Sequence, residues 1–353
     1  MITIGVDAHK RVHVAVALDD AGSELTQWRG PNSPNGWRKL AVWGSALGVE
    51  RRWGVEGAWG YGRGLAQHLV AGADTVYDIN ARWTAAGRRR AKRPGKSDPL
   101  DARAVALVVR QEAPDLPAVH AEDETAILNL LTIEREGAIG EATRLRNQIH
   151  ALLVQLDPEY ELRLPALKTR AGLAVVIRYT TTSENAMHRE RAAAVRRLAE
   201  RLALVLSQAD ELARRIRDAA TETFSPLTRL CGVNLLTAGA LAGILGPGHR
   251  FATDAQVAAY AGVAPLEASS AGLVRHRLNR GGNRRLNAIL YRIALTQAQH
   301  LDQAREYLDR RVAEGKTKRE AIRALKRFII RAIWRLWLEC KAQTSEVSVQ
   351  YAA

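Results

Sequence analysis

Residues 2–28 read ITIGVDAHKRVHVAVALDDAGSELTQW, in which three short apolar runs are separated by polar turns. Runs rich in Ile, Val and Ala that are bounded by Asp and Gly are typical of β-strands. The pattern predicts strands over 2–6, 12–18 and 24–28. Because consecutive strands joined by short turns usually pair, we expect an antiparallel meander.

The pattern then changes to alternating strands and helices. Strands are predicted over 53–56 and 75–79, and helices over 62–71 and 98–110. An antiparallel meander followed by such units predicts an α/β domain with a mixed sheet flanked by helices.

The remaining two thirds of the chain have helical periodicity. Apolar residues recur at helical spacing over 127–156 and again over about 184–220. Two long helices joined by a proline-containing connector favour an antiparallel coiled-coil arm, although an ordinary helical bundle fits the pattern equally well. From residue 226 the chain is predicted to be mainly helical, with helices over 237–245 and 318–341.

Charge and composition narrow the classes of function. The formal net charge of +15 indicates a polyanionic partner, since a basic surface binds nucleic acid by neutralising phosphates. Two cysteines, Cys231 and Cys340, are too few for a thiolate zinc site or a disulfide framework. The N-terminus does not resemble a signal peptide, and no apolar run has the length of a membrane span. We therefore expect a cytoplasmic, nucleoid-associated protein without membrane contact.

Four carboxylates follow predicted strands or begin a predicted helix. Asp7 ends the first strand, Glu56 ends the fourth, and Asp98 and Asp101 are three residues apart at a helix start. Gathered at one sheet edge, they would repel unless divalent cations neutralised them, and carboxylate oxygens suit Mg²⁺ or alternatively Mn²⁺. The alternative for the helical pair is capping, with Asp98 as the N-cap.

Two basic segments could hold a polyanion. The first segment adjoins the carboxylates and comprises Arg88, Arg89, Arg90, Lys92, Arg93 and Lys96. A solvated loop is the alternative interpretation of this segment. The other follows the serines Ser269 and Ser270, and its polar residues are Arg275, Arg277, Arg280, Asn283 and Arg284. A serine needs assistance to act as a nucleophile, so the residue pattern leaves open a flexible loop before a nucleic-acid-binding helix.

Several short motifs also occur in a specific order. They are Gly5-Val6-Asp7 with His9-Lys10, Glu56-Gly57 with Tyr61-Gly62, Lys96-Ser97-Asp98-Pro99-Leu100-Asp101-Ala102, Tyr260-Ala261-Gly262, Pro265 with Ser270, Gly281-Gly282-Asn283 and Gly315-Lys316-Thr317-Lys318-Arg319-Glu320-Ala321. In this order and spacing they resemble the bacterial insertion-sequence transposases of the IS-one-ten group, which are DEDD recombinases guided by a bridge RNA. The resemblance covers essentially the whole chain.

The resemblance implies an RNase H-like (RuvC-like) domain over 1–118, a helical coiled-coil region over 119–224 and a transposase domain over 225–345. It also implies a noncoding guide RNA, DNA substrates at the element ends and target, and a homotetramer or dimer of dimers.

The same resemblance assigns roles to individual residues. Asp7, Glu56, Asp98 and Asp101 would bind Mg²⁺. Ser270 would form a covalent phosphoserine intermediate. Ala271 stands where the family has glycine directly after the serine, so Ser269 stays an alternative nucleophile.

Other functions are compatible with parts of this pattern. A RuvC-like Holliday-junction nuclease would use metal-activated water and need no serine, and a non-catalytic nucleic-acid-binding protein would need neither. A sugar-kinase-like ATPase should carry a glycine-rich phosphate loop after the first strand, and Ala8-His9-Lys10-Arg11 contains none.

Overall fold

The structure is a computed structural model that describes residues 1–81, 83–84, 97–246, 251, 253–264, 266–267, 276–277 and 281–350. Its contacts divide the chain into two compact units. The N-terminal unit is Met1–Asp123 with Pro247–Ala259, and the helical unit is Glu124–Gly246 with Tyr260–Ala353. The three-domain division expected from the sequence stays a prediction.

The N-terminal unit is built on a five-stranded sheet. Its strands are β1 (Ile2–Ala8), β2 (Val12–Leu18), β3 (Glu24–Pro31), β4 (Arg51–Glu56) and β5 (Thr75–Ile79). Their spatial order is β3-β2-β1-β4-β5, with antiparallel β1–β2 and β2–β3 pairs and parallel β1–β4 and β4–β5 pairs. The predicted meander and the mixed sheet are confirmed, and the arrangement is consistent with an RNase H-like domain.

Three helices accompany the sheet: α1 (Pro34–Leu47), α2 (Arg63–Ala71) and α3 (Asp98–Glu112). The sequence pattern predicts α2 and α3, whereas α1 was not predicted from it. The signal was present, because Ser33 is followed by a proline in the first turn and its side chain accepts a hydrogen bond from the Gly36 amide at 3.2 Å.

Helices cover both faces of the sheet, which explains why β2 is apolar apart from the buried His13. Ala15 and Ala17 belong to the cluster that contains the fully buried Trp53 and residues of α1 and α2. On the opposite face, Val14 and Val16 pack with α3. A strand buried on both sides has a continuous apolar run rather than an alternating one.

The helix α3 lies unusually close to β1 at Gly5. A Cβ atom on Gly5 would lie 2.2 Å from the carbonyl oxygen of Ala102 and 2.2 Å from the amide nitrogen of Ala106. Both obstacles are backbone atoms, which cannot rotate away. Glycine at this position therefore sets the distance between β1 and the helix that carries Asp98 and Asp101.

We expect Gly5→Ala to destabilise the N-terminal unit by about 1–3 kcal/mol, because the added methyl group forces α3 away from β1. Urea unfolding would measure the loss. Gly137→Ala is the matched control, since a Cβ atom added to this helical glycine would have no neighbour within 4 Å. It should stabilise the protein by about 0.5–1 kcal/mol. Equal effects of the two substitutions would refute the close-packing explanation.

The rest of the described chain is mainly helical. Its helices are α4 (Glu124–Leu156), α5 (Tyr160–Arg163), α6 (Arg170–Ile177), α7 (Ala186–Phe224), α8 (Leu235–Leu245), α9 (Asp254–Tyr260), α10 (Arg284–His300), α11 (Asp302–Ala313) and α12 (Lys318–Gln350). The short strands β6 (Leu266–Glu267) and β7 (His276–Arg277) pair antiparallel. Within the described ranges, no helix has both the length and the apolar character that crossing a membrane requires.

The two long helices predicted for the middle of the chain are confirmed as α4 and α7, and they run antiparallel. Glu141 of α4 forms an ion pair with Arg201 of α7 at 2.5 Å. Earlier in α4 and later in α7, Leu128 and Ile216 both lie against Gly239 of α8. Successive contacts therefore advance along one helix and return along the other.

Candidate metal centre

The parallel strands bring acidic residues to one edge of the sheet. Asp7 lies near the end of β1, Glu56 ends β4, and Asp78 lies near the end of β5. The register pairs Val6 with Val55, one residue before Asp7 and Glu56 in their strands. The carboxyl ends of parallel strands are where α/β sheets commonly bind their ligands.

The helix α3 adds two more carboxylates. It begins at Asp98, its N-cap is Ser97, and Asp101 lies in its first turn and is buried. The alternative in which Asp98 acts as the N-cap is therefore wrong. Its carboxylate instead faces Arg29 of β3, with Oδ2 3.1 Å from Nη1.

His9 joins two of these carboxylates. Its Nε2 lies 3.0 Å from Oδ2 of Asp7 and 3.6 Å from Oδ1 of Asp98. Among the described residues, these three side chains offer ligand atoms that all lie within 4.8 Å of one another. The sequence reasoning did not select His9 as a site residue, although a histidine two positions after Asp7, at the end of a strand, was a usable signal.

The Asp7 carboxylate is buried, which disfavours its ionised form. Asp7 is 6% exposed, and its Oδ2 is fully buried without a hydrogen bond of good geometry. Burial is the main reason that the pKa of Asp7 is raised. The His9 imidazole lowers the pKa, whereas the carboxylates of Asp101 and Asp98 raise it further.

This arrangement fits a divalent cation. Carboxylate oxygens are the ligands that Mg²⁺ prefers, and a cation would bind the buried Oδ2 of Asp7, which has no well-aligned hydrogen bond, and relieve the repulsion among the acids. Imidazole suits Mg²⁺ poorly. His9 is therefore better understood as a neighbour that contacts the carboxylates of Asp7 and Asp98, and the Arg29 guanidinium as a positive charge beside Asp98.

Glu56 lies apart from this group of close ligand atoms. Its Oε2 is 3.4 Å from the Thr84 hydroxyl. The chain turns directly after it at Gly57, whose φ of +63° is a conformation that other residues rarely adopt. Glu56 lines a cleft of about 410 Å³ together with the exposed aromatic side chains of Trp59 and Tyr61.

The other predicted site residues are only partly within the described chain. Residues 88–96, Ser269, Ser270, Arg275 and Arg280 lie outside it, and Arg277 is described as part of β7. The Asn283 side chain caps α10 by accepting from the Leu286 amide at 3.0 Å and donates to the Tyr260 hydroxyl at 2.8 Å. Arg284, the first residue of α10, is exposed.

Comparison with known proteins identifies the family. A protein-family model described as "Transposase" matches residues 4–158. A second family model, described as "Transposase IS116/IS110/IS902 family", matches residues 225–309. The uncharacterised 43.6 kDa protein of insertion element IS110 from Streptomyces coelicolor is 30% identical, over 92% of this chain and 91% of its own length.

Two further relatives are similar over nearly their whole length. The uncharacterised 44.8 kDa protein of insertion element IS116 from Streptomyces clavuligerus is 26% identical, over 94% of each chain. The uncharacterised 42 kDa protein of insertion element IS900 from Mycobacterium paratuberculosis is 27% identical, again over 94% of each. As a transposase, the chain is a DNA-processing, DNA-binding protein. It belongs to the IS110/IS116 family of insertion-element transposases.

Proposed function

We propose that this transposase excises and inserts its own element by Mg²⁺-dependent DNA strand cleavage and exchange through a covalent serine intermediate. The observation that carries the proposal is the acidic site at the sheet edge, where the buried Oδ2 of Asp7 lacks a well-aligned hydrogen-bond donor. A site of this kind stores an electrostatic cost that a bound cation would relieve.

Each acidic residue would have a role in binding the metal ion that follows from its position. Asp7 and Asp98, with Asp101 beside them, would hold the ion, and Glu56 on the neighbouring strand would complete the set. When bound, Mg²⁺ supplies Lewis-acid stabilisation of the charge that develops on the phosphoryl oxygens. Arg29, 3.1 Å from Asp98, keeps that carboxylate oriented before the substrate binds.

The serine step rests on the resemblance between the C-terminal motifs and the family. The Ser270 oxygen would form a bond to phosphorus, and the bond from phosphorus to the leaving sugar oxygen would break. The serine proton passes to water, and the leaving sugar oxygen takes up a proton from water, so the step is balanced. The phosphoserine preserves the energy of the phosphodiester, so a second sugar hydroxyl can reverse the step on a new strand.

The proposed partners are DNA and a noncoding bridge RNA, with a homotetramer or dimer of dimers as the active assembly. The formal net charge of +15 supports a polyanionic partner. RNA that co-purifies with the protein at low salt would support the proposal that a guide RNA is bound.

Asp7→Asn should stabilise the metal-free protein while removing its response to Mg²⁺. Because burial raises the pKa of Asp7, the ionised carboxylate destabilises the fold at neutral pH. We expect a gain of about 0.5–2 kcal/mol. The gain should vanish below pH 3.8, the ordinary pKa of the group, where the carboxyl is protonated in both states. Thermal unfolding with and without Mg²⁺ measures both effects.

Asp20→Asn is the control for this experiment. Asp20 is exposed, and the N-terminal ammonium group that bonds to it lowers its pKa. Its replacement should leave the melting temperature unchanged or slightly lower, with the Mg²⁺ response intact. A wild-type protein that Mg²⁺ and Mn²⁺ both fail to stabilise would contradict the metal site.

A further inference from the structure

The helical unit contains a groove whose rim is rich in arginine. It has a volume of about 560 Å³, within the range of about 300–1,000 Å³ that is usual for ligand sites. Helices α4, α7, α8 and α10 all contribute to its walls. Four arginines line its wall: Arg135, Arg284, Arg285 and Arg292. We call this cleft the arginine groove.

The positive charge of the arginine groove is largely uncompensated. Glu136, the single carboxylate among the groove residues, is paired with Arg285 at 2.6 Å. Within the described part of the chain, Arg135, Arg284 and Arg292 form no side-chain ion pair. Three unpaired guanidinium groups around one concave surface favour an anionic ligand.

Two donors in this groove are both buried and unsatisfied. They are Nε of Arg135 and Nη2 of Arg285. The rest of the Arg285 guanidinium is held in place, because Nη1 donates to the Asn129 side chain at 2.9 Å and Nε donates to Glu136. Buried charged donors without acceptors leave positive potential uncompensated, which favours an anionic ligand at the accessible surface of the groove.

The spacing of the arginines favours a polymer over a single small anion. Arg284 and Arg292 are eight residues apart on α10, which is about 12 Å along a helix axis. At about 3.4 Å for each nucleotide of a stacked strand, this length corresponds to three or four nucleotides. Between the arginines, the apolar residues Leu236, Ala240 and Ile289 form a surface against which sugars can pack.

We infer that the arginine groove binds the phosphodiester backbone of a single nucleic-acid strand. The groove has no aromatic residue among those that line it, so it holds the backbone without stacking on the bases. This inference deepens the proposed function by giving the polyanion a site in the helical unit. It requires neither the metal ion nor the serine.

The test uses the double variant Arg284→Gln/Arg292→Gln in the full-length protein. Both residues are exposed and unpaired, so their replacement should not disturb folding. The control, Arg170→Gln/Arg305→Gln, removes the same charge from exposed positions of the helical unit outside the groove. Fluorescence anisotropy with labelled single-stranded DNA, single-stranded RNA and duplex DNA of one sequence, in EDTA and over a salt series, measures binding.

For a single strand, the slope of log K against log salt should become shallower by about 1.4 in the groove variant, since each lost phosphate contact removes about 0.7. Affinity at about 0.15 M salt should fall roughly tenfold, whereas the control should keep the wild-type slope. A loss for both DNA and RNA strands supports recognition of the shared backbone, and a loss for one identifies which strand the groove binds.

Equal slopes in the groove variant and the control would overturn the inference, and so would a loss confined to duplex DNA. Because EDTA prevents metal-dependent chemistry, failure of the proposed reaction leaves this measurement intact. Wild-type protein that binds strands through the groove but never cleaves DNA would refute the proposed function alone.

Discussion

Asp101→Asn is expected to reduce strand cleavage and excision by roughly a hundredfold to a thousandfold, the usual cost of removing one group that stabilises transition-state charge. Asp101 is 6% exposed and lies in the first turn of α3. Its charge also raises the pKa of Asp7 across the site. Asparagine keeps the shape of the side chain but removes the negative charge. An excision assay with purified components measures the loss.

The same variant distinguishes a metal ligand from a helix-stabilising residue. If Asp101 served only the helix dipole, Asp101→Asn would lower stability by about 0.3–1 kcal/mol and leave cleavage intact. Glu112→Gln is the control, since Glu112 is exposed at the far end of the same helix. Cleavage should be unaffected by that change. Retained cleavage in the Asp101 variant would remove Asp101 from the metal ligands, whereas a wild-type protein that binds DNA without cleaving it would support a non-catalytic nucleic-acid-binding protein.

Ser270→Ala is expected to abolish the covalent protein–DNA adduct and strand exchange altogether. Alanine has no oxygen that can attack phosphorus, so no ester can form at residue 270. The adduct is measured on a denaturing gel with end-labelled DNA that carries the element ends. Binding of the same DNA should stay within about twofold of wild type, since one neutral hydroxyl contributes little to an affinity dominated by phosphate contacts.

Ser269→Ala supplies the neighbouring control and should retain both the adduct and strand exchange. If the adduct and strand exchange are lost in the Ser269 variant alone, Ser269 is the nucleophile. If strand exchange survives in both variants, the serine mechanism is wrong. Metal-activated water, as in a junction-resolving nuclease, would then account for cleavage.

The sequence predicted the sheet well because strand signals are local. Apolar runs, β-branched residues and turn residues are neighbours in the chain, as in β2 and the Asp19–Gly22 turn that follows it. The helix α1 was missed although Ser33 and Pro34 mark its start. Its stabilisation comes largely from packing on the sheet through Leu40, a contact with distant residues that periodicity does not report.

The candidate site was predicted in its residue types but not in its grouping. The structure brings Asp7 and Asp98 together and adds His9, and it leaves Glu56 and Asp101 outside the 4.8 Å group. Spacing along the chain could not decide this, because the distance between carboxylates depends on how closely α3 approaches β1 at Gly5. The capping alternative failed because Ser97, not Asp98, takes the N-cap position of α3, and the Asp98 carboxylate contacts Arg29 of β3 instead.

By itself, the sequence determined the order of strands and helices, the basic charge and the family motifs, because each is carried by composition or by residues close in the chain. Only the tertiary structure decided which charges meet. Asp98 contacts Arg29 across 69 positions of sequence, and Arg285 contacts Glu136 across 149. Such pairs form when buried surfaces pack, and the resulting balance of charge at each site is a property of the fold rather than of any segment.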